Sequence, residues 1–288
     1  MQTVILTDSC SDLPLSYVEE NNIHVIGMAY NFKGQEHIDD FGKTLSYKEF
    51  YDNLRAGEMS STSQINVFTF VEIFKKYVNE SKSVLYIGFS SALSGSVNSA
   101  KIARETVMEE IPGADITVVD SLCASGGEGL LVYHAVEMLK KGHSKDEIAD
   151  WAEKNKLKVI HWFTVEDLNH LKRGGRVSST AAFVGTILDI KPILQVNDEG
   201  KLIPITKVKG RKKSIKALAD KLKEMIVSPE EQVIFINHGD CLEEAEYLKR
   251  LVLEEVKVKD VVINYVGPVV GSHSGPGTLT AFFMGDKR

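Results

Sequence analysis

Ser83-Val84-Leu85-Tyr86-Ile87-Gly88-Phe89-Ser90-Ser91-Ala92-Leu93-Ser94-Gly95-Ser96 decides the fold class. Ser83 to Phe89 is an apolar run of strand length, Ser90 to Ser96 a hydroxyl-rich turn, and helical sequence follows to about Glu110. The same unit opens the chain: the strand Val4 to Leu6, the polar turn Asp8-Ser9-Cys10-Ser11-Asp12-Leu13-Pro14, and a helix to Glu20. Between these units lie a strand from Ile23 to Phe32, a turn at Lys33-Gly34 and a helix near Ser46 to Leu54. A hydroxyl-rich loop, Met59-Ser60-Ser61-Thr62-Ser63-Gln64, then precedes a helix from Val67 to Val78 that stacks Phe70, Val71, Phe74 and Tyr77 on one face. A strand at Ile116 to Val119, a helix from Gly126-Gly127 to Lys141, and the capping box Ser144-Lys145-Asp146-Glu147 heading a helix to Asn155 continue the alternation. Strands and helices in such regular succession predict a parallel, helix-covered sheet.

After Lys158 the pattern changes. Val159 to Val165 reads as a strand, Glu166 to Lys172 as a short helix, Arg173-Gly174-Gly175-Arg176 as a corner, and Thr180 to Leu188 as a helix. A hairpin follows, Ile193 to Val196 and Leu202 to Lys207 around Asn197-Asp198-Glu199-Gly200. The strand Val233 to Asn237, the helix Leu242 to Val256, the strand Val261 to Val266 and the segment Leu279 to Met284 complete it. The expectation is an α/β protein of two domains. Residues 1–158 form a Rossmann-like parallel sheet with helices on both faces, and residues 159–288 form a second α/β domain with a mixed sheet.

Composition excludes several classes. Of 288 residues, 43% are hydrophobic and 26% charged, with a formal charge of −6, which argues against a general nucleic-acid binder. No apolar run is long enough for a membrane span, and the first residues enter a strand pattern without a basic leader, so cytoplasmic localisation is expected. Cys10, Cys123 and Cys241 are far apart and form no paired motif, so neither a disulfide framework nor a cysteine metal site is expected. His37-Ile38-Asp39-Asp40 lacks partners at metal spacing, and no metal or cofactor is expected. One reversal of charge stands out: between Lys201 and Lys223 nine Lys/Arg face one acid, Asp220. It reads either as a solvated helix face or as a docking patch for phosphate or an acidic partner.

Three stretches share hydroxyls: Ser60 to Ser63, Ser90 to Ser96, and Ser272 to Thr278 within Gly267-Pro268-Val269-Val270-Gly271-Ser272-His273-Ser274-Gly275-Pro276-Gly277-Thr278. Four glycines and two prolines make that last stretch a bend, either an oxyanion site with an imidazole or a solvated corner. In open parallel sheets ligands bind beyond the carboxyl ends of the strands, where such loops converge. Neutral donors with little nearby cationic charge suit a single carboxylate better than a triphosphate, although the hydroxyls are equally readable as helix caps. No nucleotide-binding or kinase motif is present, and Gly88-Phe89-Ser90-Ser91-Ala92 misses the serine-hydrolase elbow by its last glycine. A lipid-ester hydrolase using Ser94, His273 and Asp8 or Asp120 remains the alternative, and it depends on geometry.

The pieces Thr7 to Pro14, Thr62-Ser63-Gln64, Leu93-Ser94-Gly95-Ser96, Val119-Asp120-Ser121, Lys172-Arg173-Gly174-Gly175-Arg176-Val177-Ser178 and Val270 to Gly277 occur in an order that resembles the DegV family across essentially the whole chain. The resemblance implies two α/β domains with a long-chain, palmitate-like fatty acid bound in a tunnel between them. It implies a non-catalytic carrier that presents the carboxylate to a separate fatty acid kinase for acyl phosphate formation, in phospholipid metabolism or lipid transport, with at most transient membrane contact. Carried over by position, Thr62, Ser63, Ser94, Gly95 and His273 would hold the carboxylate, and Arg176 and Arg211 would face the kinase. Cys10 stands where the family more often has threonine or another small residue, and Ser61 and Ile65 replace prolines expected beside Thr62.

Overall fold

A computed structural model describes residues 2–166, 168–177 and 189–288. Strand β1 (Gln2–Asp8) leads through a 3-10 turn at Ser9–Ser11 into α1 (Leu15–Glu20), then β2 (His24–Ile26), β3 (Ala29–Phe32), β4 (Gln35–Ile38), α2 (Tyr47–Arg55), β5 (Ser60–Ser63), α3 (Val67–Asn79), β6 (Lys82–Gly88), α4 (Ser96–Glu110) and β7 (Ile116–Asp120). Among the described residues, β2, β1, β6 and β7 make a four-stranded, all-parallel sheet in that order. Successive residues on its strands face opposite ways. Leu6, Val84 and Tyr86 meet Phe70, Phe74, Val97 and Ala100 of α3 and α4, whereas Ile5, Leu85 and Ile87 meet the next helices.

Those helices are α5 (Gly126–Lys140) and α6 (Lys145–Asn155). The capping box at Ser144 and Glu147 closes reciprocally, as the spacing predicted. Helix α5 is buried on nearly every side because it lies between two sheets: Leu130, Leu131, Val132 and Ala135 pack in one cluster with Leu85 of the first sheet and Phe235 and Phe282 of the second.

The second sheet uses β8 (Val159–Thr164), then, after α7 (Asn169–Arg173), β9 (Ile190–Val196), β10 (Leu202–Lys209), α8 (Arg211–Met225), β11 (Val233–His238), α9 (Leu242–Glu255), β12 (Asp260–Tyr265), α10 (Pro268–Ser274) and β13 (Leu279–Met284). Among the described residues its order is β10-β9-β8-β13-β11-β12, antiparallel except for β11 and β12, so the expected mixed sheet is present. Helices α8 and α9 cover its far face through Ile215, Leu218, Leu222, Ala245, Leu248 and Val252. The basic run is thus largely one helix whose apolar stripe is buried.

Four expectations need correction. Ile23 to Phe32 is two strands, not one: β2 stays in the parallel sheet, while β3 leaves after Gly27 for a small antiparallel sheet ordered β4-β3-β5. Its hairpin turns at Lys33 and Gly34, both left-handed at φ 52° and 74°. Second, the hydroxyl-rich loop is strand β5, paired with β3. Third, the glycine- and proline-rich stretch near the C-terminus contains helix α10. Pro268 sits in its first turn, where a missing N–H costs nothing. Fourth, the helix after β8 starts three residues later than expected. The helix expected at Thr180 to Leu188 lies outside the described residues.

Candidate head-group site in a cavity between the sheets

The carboxyl ends of the parallel strands open onto an interior cavity of about 230 Å³. Cys10 follows β1, Met28 follows β2, Phe89 follows β6 and Ala124 follows β7, and all four line it. The opposite wall comes from the second sheet and α10: Phe163, Val196, Leu202, Val269 and Phe282. The lining is mostly apolar; Thr62 of β5 and His273 of α10 bring polar groups to it, and Ser125, His161, Thr278 and Thr280 add others along the wall.

There, Thr62 Oγ1 and His273 Nε2 lie 2.8 Å apart, joining β5 to α10 across 211 residues of sequence. Ser272, one residue earlier in α10, bonds Ser60 at 2.7 Å between hydroxyls. Residues two apart on one face of β5 therefore hold two successive residues of the helix. Burial, with the Arg176 guanidinium beside it, lowers the His273 imidazole to about 4, so it is neutral near pH 7. Its other nitrogen, Nδ1, is buried without a hydrogen-bond partner among the described residues and packs so tightly on Gly174 that a Cβ there would lie 2.1 Å from it. A neutral imidazole with a bare Nδ1 is best served by carrying its proton on Nε2 and donating to Thr62. That leaves the threonine hydroxyl free to donate onward to a ligand oxygen.

Ser94 and Gly95 reach the same cavity from the turn before α4. Ser94 Oγ lies 3.1 Å from Ser96 Oγ and accepts from the Ser96 N–H at 3.3 Å, and Ser96 in turn accepts from the Ile65 N–H at 3.1 Å. Neutral hydroxyl and amide donors thus converge at one end of an apolar chamber, an arrangement suited to a carboxylate.

Arg176 lines both this cavity and an outer cleft of about 280 Å³ that also contains His273, His170, Arg173 and Met59. It donates to the carbonyls of Leu93 at 3.2 Å and Gly174 at 2.5 Å, and has no carboxylate partner among the described residues. The polar end of the cavity is therefore the end that meets the surface.

The structure separates the sequence-nominated residues into two groups. Thr62, Ser94, Gly95, His273 and Arg176 all line the cavity. Ser63 does not: it is exposed, because alternation along β5 sends it to the face opposite Thr62. Nor does Arg211, which donates to Glu244 at 2.7 Å and to the Gly277 carbonyl at 2.6 Å, with Glu166 at 3.7 Å. The hydrolase geometry is also unmet. Asp8 bonds Tyr86 and the Phe89 N–H, and Asp120 bonds the N–H groups of Ser91 and Leu122, so neither orients His273, whose Nε2 faces Thr62 and not Ser94.

Behind Cys10 sit four buried carboxyl groups, Asp8, Asp12, Asp39 and Glu128. Burial raises all four, Asp39 to about 7. Asp12 accepts from the Ser125 hydroxyl and from the Gly267 N–H at 2.8 Å, while Asn237 and Asn264 donate to its carbonyl, fastening the first βα turn to the second sheet. Among the described residues, no group of three or more His, Cys, Asp and Glu is placed to hold a metal ion. No described helix is long and apolar enough to cross a membrane.

The profile of the DegV family, a family of uncharacterised proteins, matches residues 2–286. The chain belongs to the DegV family. A DegV domain-containing protein of Clostridium perfringens is 53% identical to it, covering 99% of this chain and 98% of that one. The solved DegV family protein of Thermus thermophilus, described by its fatty acid binding, is 29% identical with a TM-score of 0.89, covering 99% of this chain and all of that one. Bacillus subtilis DegV, described as a fatty acid binding protein, is 28% identical with a TM-score of 0.84 over 99% of this chain and all of that one. In the DegV chain, sequence reasoning missed the Ser60–Ser272 bond, the seat of His273 on Gly174 and the buried acids. The first two are contacts between residues far apart in sequence, and no local pattern announces them.

Proposed function

We propose that the chain binds one long-chain fatty acid, carboxylate at Thr62, Ser94, Gly95 and His273, hydrocarbon in the apolar cavity. The observation that carries this reading is the Thr62–His273 pair on the wall of a mostly apolar chamber. The relatives described as fatty acid binding share its fold over nearly their whole length. About 14 buried methylenes at ~0.8 kcal/mol each supply ~11 kcal/mol before ordering costs, against ~1.5–3 kcal/mol for each hydrogen bond to the carboxylate. The hydrocarbon sets affinity; the head-group donors set direction.

On this reading residues 1–158 and 159–288 act as two domains whose seam forms the cavity. The carrier presents its carboxylate at the Arg176 rim to a separate fatty acid kinase that makes the acyl phosphate. Phosphoryl transfer to a bound carboxylate brings a highly charged phosphate to that rim, and a cation with no carboxylate partner among the described residues is suited to meet it. Mass spectrometry of organic extracts from the purified protein tests the binding. Co-purified fatty acid, or uptake of added palmitate at one per chain, is expected; repeated absence of both would overturn the proposal.

A further inference from the structure

Helices α8 and α9 lie side by side on the outer face of the second sheet and run in the same direction. Arg211 at the start of α8 pairs with Glu244 at the start of α9 at 2.7 Å, and Lys223 near the end of one pairs with Glu255 at the end of the other. Their solvent-facing sides carry opposite charge. The first two turns of α8 expose Lys212, Lys213 and Lys216, whereas those of α9 expose Glu243 and Glu246. One turn further along the signs reverse, with Asp220 exposed on α8 and Arg250 exposed on α9 at nearly the same level. None of these side chains makes an ion pair among the described residues. Leu242 and Leu253, three turns apart on one side of α9, are 52% and 49% exposed.

A face that carries both signs side by side can be complementary to a copy of itself. A two-fold axis parallel to the helices, outside them, lays α8 of one copy on α9 of the other, pointing the same way, and symmetry supplies the reverse contact. The basic first turns then meet acidic first turns, Asp220 meets Arg250, and Leu242 and Leu253 gain cover from the lysine stems of the opposing α8. An axis across the helices would instead set Glu243 and Glu246 toward Glu254 of a second α9, like charge against like. We infer that this face is a homodimer interface, in which the basic run on α8 is matched by the acidic side of α9 in a second copy of this chain. Two helices of 15 and 14 residues present a footprint of roughly 400 Å², against ~800 Å² per partner in a standard interface, so the association is weak and salt-sensitive.

Sedimentation equilibrium of the full chain tests this, between about 5 and 500 µM at low salt and again at about 500 mM salt. The weight-average mass is expected to climb from one chain toward two with concentration, and to fall back at the higher salt. Lys213→Glu with Lys216→Glu, and separately Glu243→Lys with Glu246→Lys, are expected to hold the chain monomeric at every concentration. The chain carrying all these reversals together dimerises again, because the exchange preserves complementarity. Melting temperatures within a few degrees of the unaltered chain's identify the variants as folded. An unaltered chain that stays monomeric throughout would overturn the inference, including one that instead sediments with anionic phosphatidylglycerol vesicles. So would a dimer indifferent to both reversals, or one that the combined exchange does not restore.

Discussion

At the scale of single residues, the site turns on which of several neighbouring hydroxyls face inward. Thr62 and His273 share one short contact, and each charge-assisted hydrogen bond to a carboxylate is worth about 1.5–3 kcal/mol. Thr62→Ala and His273→Ala are each expected to weaken palmitate binding about ten- to hundredfold by fluorescence displacement, whereas Ser63→Ala leaves it unchanged. Sequence could nominate the group but not divide it. Ser60 to Ser63 are all hydroxyl-bearing, so they carry no alternation of hydropathy, and the strand that separates Thr62 from Ser63 leaves no periodic trace. The two arginines divide for a different reason. Arg211 looked like a free cation because Glu244 lies 33 residues onward, where spacing says nothing of pairing. Arg176→Ala is expected to lower acyl phosphate formation by a cognate kinase about tenfold more than it lowers affinity. Arg211→Ala instead shows as a melting temperature lower by several degrees, since it leaves Glu244 and the Gly277 carbonyl without their donor.

At the scale of elements, α10 is the part that local sequence reading least foresees. Its glycines and prolines signal a bend, yet Pro268 falls in the first turn and Gly271 lets the Tyr51 hydroxyl approach to 2.4 Å of where a Cβ would stand, so packing makes a helix. By contrast, β1 and β6 were plain from their apolar runs, and α6 from its capping box. The run Ile23 to Phe32 misled because both its halves are apolar, and only pairing partners reveal that they belong to different sheets. The seat of α10 on the corner after α7 gives a prediction at this scale. Gly174→Ala places a methyl group 2.1 Å from His273 Nδ1, so the imidazole must move. Palmitate affinity is expected to fall about as far as in His273→Ala, although the new methyl lies on the side of the ring away from Thr62. Unchanged affinity would show that the ring has slack.

For the whole molecule, the alternation of strands and helices made the parallel sheet and its helical cover legible. Strand order and the small antiparallel sheet were not, because they rest on pairings between distant segments. Nor could composition show that Asp8, Asp12, Asp39 and Glu128 would be buried together. Burial raises each of them, so the folded chain holds protons that the unfolded chain releases at lower pH. Their contribution to stability is full in acid, declines as pH rises above the ordinary carboxylate value, and is exhausted at each folded value, for Asp39 at about 7. The buried histidines His134 and His273, lowered from 6.5 to about 4, oppose this between about pH 4 and 6.5, where their contribution rises with pH. The melting temperature is therefore expected to fall as pH rises above about 6.5, where the histidines no longer oppose the carboxyls, and Asp39→Asn to flatten the part of the decline below about pH 7. A melting temperature that rises across this range would contradict the assignment.

The bond between β5 and α10 has one further consequence, for inheritance. Thr62 arrives with the small antiparallel sheet of the N-terminal half and His273 with α10 of the C-terminal half, so neither half carries both members of the pair to transmit. A chimera that takes its N-terminal half from this chain and its C-terminal half from a relative keeps the hydroxyl and imports a foreign imidazole. Whether it recognises a carboxylate would then be decided at the join, by how well two separately descended surfaces meet.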